Sequence, residues 1–218
     1  MVMRRKLSRQ RIIDAAATVA DDRGISGVSM RNVGAELGVE AMSLYHHVAN
    51  KDALLDALAE WAFEKIELPT VGAAWRDAMT LRANSARQVF RKHPWAIGMI
   101  ESRPRPGAAL LHHHDRVLGC LLTQGFSVTL ATHAFSTIDA FVYGFALTES
   151  TLPFAPGEGA EADFASGVAP SAKDYPYLTH AIAELFGDGE YVFDDEFRDG
   201  LVLILDGLQL QLERESRS

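Results

Sequence analysis

This chain has a single cysteine among its 218 residues, Cys120, so no internal disulfide framework can form. Cys120 sits in Leu118-Gly119-Cys120-Leu121-Leu122 and reads as a small buried residue. No apolar run reaches the ~18 residues that a membrane span needs. The basic start, Met1 to Arg11, leads into a polar, alternating stretch and does not have the form of a secretory signal. A soluble, cytoplasmic protein is therefore expected, with no membrane partner. A Gly-rich phosphate loop, a paired-cysteine motif and a nucleophile elbow are all missing. An enzyme is consequently the least favoured class, and no cofactor is expected. Convincing strand patterns are lacking too.

What is present is helical periodicity, with 48% hydrophobic and 23% charged residues, as in an ordinary globular protein. The net charge of −8 divides unevenly: residues 1–51 carry +3 and the remainder −11. That asymmetry fits a small nucleic-acid-binding portion attached to a body that does not bind nucleic acid.

The stretch from Ser29 to Lys51 is the most informative. Ser29 can cap a helix whose Val33 and Leu37 lie four apart, with Gly34 and Ala35 small enough for another helix to approach. Gly38 falls where a helix ends in the left-handed conformation. A second short helix begins at Glu40-Ala41 and repeats the spacing of four with Leu44 and Val48. This is the pattern of a helix-turn-helix, whose second helix enters the DNA major groove. The alternative is an ordinary pair of core helices. Against it, Ala41, Met42, Ser43, Tyr45, His46 and His47 give the second helix an outward face of small, hydroxyl, aromatic and imidazole groups suited to phosphates and base edges.

Before this unit, Arg4, Arg5, Lys6, Arg9 and Arg11 form a basic arm suited to phosphates or the minor groove. Ser8 caps a first helix to about Arg23, with Ile12, Ile13, Ala16, Val19 and Ala20 as its apolar stripe and Gly24 as its end. A fourth helix starts at Asn50-Lys51-Asp52, with Leu54, Leu55, Leu58, Trp61, Ala62 and Ile66 on its buried face. Lys51 at that helix start suits a phosphate; a lysine pointing into water fits the spacing equally well.

Beyond a break at Pro69–Ala74, helices are expected over Trp75–Lys92, Trp95–Glu101, Ala108–Gln124, Ser127 to about Glu149, Tyr175–Phe186 and Phe197–Leu212. Leu152–Lys173, rich in Pro, Gly and acidic residues, is expected to be a loop. The Ser127–Glu149 and Phe197–Leu212 helices carry more apolar surface than one small body needs, which suggests a four-helix contact between two copies. The three consecutive residues His112, His113 and His114 point about 100° apart on a helix and cannot converge on one ion, so no metal site is assigned.

The run Gly38-Val39-Glu40-Ala41-Met42-Ser43-Leu44-Tyr45-His46-His47-Val48-Ala49-Asn50-Lys51-Asp52-Ala53-Leu54-Leu55-Asp56-Ala57-Leu58 closely resembles the DNA-binding domain of the TetR family of bacterial repressors, in particular its tetracycline-repressor branch. Gln124-Gly125-Phe126-Ser127 and the apolar helix after it are similar to that branch's ligand-binding domain. The resemblance implies an all-α homodimer that binds a palindromic double-stranded DNA operator and leaves it when a small organic effector enters the larger domain. The implied division is a helix-turn-helix DNA-binding domain at 1–51, a connecting helix at 52–68, and an effector-binding and dimerisation domain at 69–218.

By motif position, Arg31, Ala41, Met42 and Ser43 would face bases, with Tyr45, His46, His47 and Lys51 mainly on phosphates. Ala41-Met42 replaces a Gln-Pro pair, so a different operator is expected. On an ungapped comparison, Glu67, Arg82, Ala86 and Glu101 occupy places of drug-binding His, Asn, Phe and His residues. The metal-binding His is absent, so an organic effector other than tetracycline–magnesium is expected. From helix faces, its pocket would lie near Trp95, Met99, Leu121, Phe135, Asp139 and Tyr143. Activation instead of repression remains an alternative, as does an architectural DNA-binding role, although the latter leaves the large acidic body unexplained.

Overall fold

The computed structural model describes residues 6–102 (side chains to 99), 107–154, 160–168, 170–186 and 191–217. Among the described residues the regular structure is helical, with no strand.

The first four helices are α1 Arg9–Arg23, α2 Met30–Leu37, α3 Ala41–Leu44 and α4 Lys51–Phe63. Local hydrogen bonds set most of their starts. Ser8 accepts from Arg11 N at 3.4 Å, Ser29 from Asn32 N at 3.1 Å, and Asn50 from Ala53 N at 2.8 Å; each satisfies a donor that the helix geometry leaves open. Gly38 ends α2 in the left-handed region at φ 66°, ψ 36°, and Val39 N returns to Gly34 O at 2.9 Å. Ile12, Ala16, Val28, Val33, Leu44, Leu54 and Leu58 are fully buried in one core that all four helices share. Burial of each larger side chain there contributes about 1.5–3 kcal/mol. Leu54, Leu58 and Ala62 of α4 and Ile66 just beyond its end are buried as expected, whereas Leu55 and Trp61 are half-exposed.

The body continues with α5 Trp75–Lys92, α6 Trp95–Ser102, α7 Ala108–Thr123 and α8 Val128–Ser150. Pro94 forces His93 out of helical backbone, to φ −131°, ψ 67°. Ser127 accepts from Leu130 N at 3.1 Å, opening α8. Met79, Ala83, Ala86 and Phe90 of α5, Val117, Cys120 and Leu121 of α7, and Ala131, Ala134 and Ile138 of α8 are buried.

By packing, the chain forms two compact units, residues 1–146 and 147–218. Helices α1–α4 and α5–α7 belong to the same unit, because α4 packs against α1 on one side and α6 and α7 on the other. The second unit contains α9 Ala160–Val168, α10 Pro176–Phe186 and α11 Phe193–Glu215.

Two expectations are corrected here. Leu152–Lys173 is not a loop throughout, since α9 lies inside it: its Ala-rich segment has Glu161 and Asp163 in the first turn, where carboxylates favour a helix, and Phe164 packs on Phe154 with ring centroids 5.4 Å apart. The flanking prolines and glycines had masked that segment. The last helix is also longer than Phe197–Leu212, because Asp194, Asp195 and Glu196 extend its acidic first turn. Its buried face is Phe197, Leu201, Leu205 and Leu208.

Candidate nucleic-acid interface and internal polar cluster

The second helix of the helix-turn-helix is short. Its helical turn continues past α3 through His47 N to Leu44 O at 2.9 Å and Val48 N to Leu44 O at 3.0 Å. Leu44 and Val48 point into the core and fix the orientation of the segment. The opposite side is left open: Met42 is 73% and Tyr45 45% exposed, although apolar side chains of this size normally bury. His46 and His47 are exposed, while Ala41 and Ser43 are half-buried at the flanks.

Close approach of α2 makes this geometry. A Cβ at Gly34 would stand 2.9 Å from Val39 O and 3.2 Å from Ala41 N. Arg31, in the first turn of α2, and Lys51, first residue of α4, are both exposed. An exposed cation in the first turn of each of these helices, together with the exposed polar-aromatic face, has the chemistry to meet both phosphates and base edges. Of the basic arm, Lys6, Arg9 and Arg11 are described, and Arg11 donates back to Lys6 O at 3.1 Å; Arg4 and Arg5 lie outside the described residues.

Inside the body, three helices bring charged groups together. The Arg82 guanidinium of α5 donates to the Asp139 carboxylate of α8. Its Nε–H also donates to His113 Nε2 of α7 at 3.1 Å. Tyr143 donates to the other Asp139 oxygen at 3.4 Å, and its ring meets Phe90 edge-on at 5.4 Å. Phe135 lies edge-on to His114 at 4.6 Å and 5.8 Å from the Arg82 guanidinium carbon.

Burial, then Arg82, then the neighbouring His114 and His112 lower the His113 pKa to about 3. The neutral ring accepts at Nε2, so its proton sits on Nδ1, which is buried without a hydrogen-bond partner. His114 is also shifted down, by burial first; Asp139 opposes that shift and Arg82 adds to it.

Of the six expected pocket residues, Phe135, Asp139 and Tyr143 therefore join one cluster. Met99 and Leu121 are buried. Trp95 faces elsewhere, donating its indole N–H to Asp21 of α1 at 2.6 Å. Arg82 and His113 were not among the six. The signal for each was a charged or imidazole group within a helix's apolar stripe, Arg82 between Met79 and Ala86, and His113 four residues before Val117. Ala86 is buried and Glu67 exposed; the Glu101 side chain lies outside the described residues. His112 is exposed, His113 buried and His114 half-buried, three different environments for three consecutive rings.

Two grooves lie beside α4. One of about 540 Å³ is lined by Asp14, Trp61, Lys65, Glu67, Ser85 and His93 among others. The other, about 380 Å³, is bounded by Glu60, Phe63 and Ile66 on one side and Ala108, Ala109 and His112 on the other.

The family model described as bacterial regulatory proteins, tetR family, matches residues 12–58, and that of the tetracyclin repressor-like C-terminal domain matches 68–212. The class A tetracycline repressor from transposon 1721 of Escherichia coli is 33% identical, covering 93% of this chain and 91% of its own. The transcriptional repressor DrrR1 of Streptomyces coeruleorubidus is 30% identical over 94% of this chain and 78% of its own. Among solved structures, ActR of Streptomyces coelicolor without ligand has a TM-score of 0.76 at 26% identity, with 96% of this chain and 98% of that one covered. ActR in complex with actinorhodin has a TM-score of 0.74, also at 26% identity, covering 95% and 99%. These relatives are regulators, not enzymes. With one family model matched over residues 12–58 and the other over 68–212, and relatives at 30% identity or more covered along most of their length, the chain belongs to the TetR family of DNA-binding transcriptional regulators.

Proposed function

We propose that this protein is a homodimeric repressor that binds a palindromic operator in the cytoplasm and is released from it by a small organic effector. The observation that carries the DNA half is the exposed Met42–Tyr45–His46 face on a segment anchored by Leu44 and Val48. Arg31, Ala41, Met42 and Ser43 read bases; Tyr45, His46, His47 and Lys51 hold phosphates. Residues 1–51 act as the DNA-binding domain, 52–68 as the connection, and 69–218 as the effector and dimer domain. Dimerisation is supported by Val202, Leu203 and Leu210, left exposed on α11, and two-fold symmetry suits palindromic DNA. That no helix among the described residues is long and apolar enough to cross a membrane is consistent with the location.

The effector binds beside the Arg82–Asp139–His113 cluster, against Phe135 and Tyr143. Arg82 is already matched by Asp139, and His113 is neutral at physiological pH. The cluster therefore offers one uncommitted donor, His113 Nδ1–H, to a ligand acceptor such as a carbonyl oxygen. Binding shifts α4 and changes the separation of the two recognition helices, which must match half-sites about 34 Å apart. The test is binding of the wild type, Tyr45→Ala and Lys51→Ala to DNA flanking the gene. Salt-sensitive, sequence-preferring binding that both substitutions weaken supports the reading; binding that persists unchanged in both would move the recognition surface elsewhere.

A further inference from the structure

Glu60 belongs to α4, yet its carboxylate serves the start of α7. Oε2 accepts the backbone N–H of Ala109, the second residue of α7, at 2.7 Å. The N-cap position of α7 is Gly107, which has no side chain to offer that donor. A Cβ built on Gly107 would lie 1.8 Å from Oε1 and 2.3 Å from Cδ of Glu60. The Gly107 backbone is extended, at φ −82°, ψ 176°, and would accept any residue. A side chain at 107 would instead have to displace the Glu60 carboxylate, the flexible end of its side chain, from the start of α7.

The residues around Glu60 give this contact a direction. Phe63, three residues on and so on the same side of α4, has its ring 5.8 Å from that of His113, the α7 member of the internal cluster. Trp61 points the other way and donates its indole N–H to Asp14 of α1 at 3.0 Å. Thus residues 60 and 63 of α4 meet α7, whereas Trp61, with the buried Leu54 and Leu58, ties α4 to the N-terminal module. Lys51 opens the far end of the same helix, directly after the 41–48 segment.

We propose that Glu60 is a positioning residue for DNA binding: its carboxylate caps α7 from outside and thereby holds α4 in the orientation that fits the operator. The inference rests on the reading that the body controls the DNA-binding module, and it names the contact through which control passes. A change at the start of α7 removes the acceptor's partner and lets α4 move, without altering any group that touches DNA.

The experiment uses the full-length protein and operator DNA selected by the wild type from a random-sequence pool, with an unselected duplex of equal length as the non-specific control. Glu60→Ala and Gly107→Ala are each expected to weaken operator binding by about 5- to 30-fold, the factor a lost cap corresponds to. Non-specific affinity is expected to stay unchanged, since the phosphate contacts remain. Glu60→Gln, whose amide oxygen still accepts from Ala109, should bind within about twofold of the wild type. The double variant Glu60→Ala/Gly107→Ala should be no worse than Glu60→Ala, because the two changes remove one interaction. Operator affinity unchanged in Glu60→Ala overturns the proposal. So does a parallel loss of operator and non-specific binding with lost helical circular dichroism, which would make Glu60 a folding residue only. Failure of the wild type to select any sequence would instead count against the DNA-binding reading itself.

Discussion

Asp21 and Trp95, 74 residues apart, are joined by an indole N–H donated to the carboxylate at 2.6 Å. The same Asp21 oxygen lies 2.7 Å from Nδ1 of His93, a ring that is only 4% exposed. Asp21 therefore ties α1 to the junction of α5 and α6. Asp21→Ala leaves two ring nitrogens without this partner and is expected to destabilise the protein by about 1–3 kcal/mol. Asp22→Ala, at an exposed neighbour, should stay within about 0.5 kcal/mol. Urea denaturation of both variants checks the difference.

Stability should fall with acid in a way traceable to His113. Its folded-state pKa is about 3, against 6.5 for the free ring. Above pH 6.5 neither state binds the proton, and the contribution is complete. Between 6.5 and 3 the unfolded chain is protonated while the folded one is not, so stability is lost as pH falls, by at most about 1.4 kcal/mol per unit from this ring. His114 adds in the same direction. His113→Leu should flatten the profile between pH 7 and 5 while lowering stability at pH 7, because Arg82 Nε–H loses its acceptor. A variant profile parallel to the wild type would contradict this.

Two glycines of the helix-turn-helix should differ when changed to alanine. At Gly38 there is open space, and only the left-handed backbone objects, for about 1–2 kcal/mol. At Gly34 the added methyl meets the backbone of Val39 and Ala41, which cannot turn aside as a side chain would. Gly34→Ala should therefore both destabilise the module, by about 1–3 kcal/mol, and abolish sequence preference by pushing α3 outward. Thermal unfolding together with operator titration separates the two effects.

Lys51→Ala is expected to weaken specific and non-specific DNA binding alike and to reduce the slope of log affinity against log salt by about 1. Met42→Gln should instead change which sequences are preferred, with discrimination at one base pair altered by about 1–3 kcal/mol and the salt slope unchanged. Titrations at several salt concentrations, paired with selection from random DNA, distinguish a phosphate contact from a base contact.

The DNA-binding module was legible from sequence because its instructions are local. Ser8, Ser29 and Asn50 each cap a helix through a hydrogen bond to a residue three positions on, and Gly38 supplies the left-handed turn by itself. The helix α9 was obscured because proline and glycine dominate its surroundings, while the Phe154–Phe164 packing involves residues ten positions apart across that stretch. The partner of Trp95 was illegible for a related reason: its helix face is apolar in period, but its indole N–H meets a carboxylate from α1.

By itself, then, the sequence determined where most helices begin and end, which faces are apolar, and which short segment presents an unburied polar-aromatic surface. These follow from hydrogen bonds and spacings within a turn or two of chain. Tertiary structure alone decided which polar groups stranded on apolar faces would meet. Arg82 finds Asp139 and His113 across separations of 57 and 31 residues, and Glu60 finds the start of α7 across 49. Such pairs depend on the rotation and offset of packed helices. Those are fixed by the fit of many side chains at once, and no single spacing encodes them.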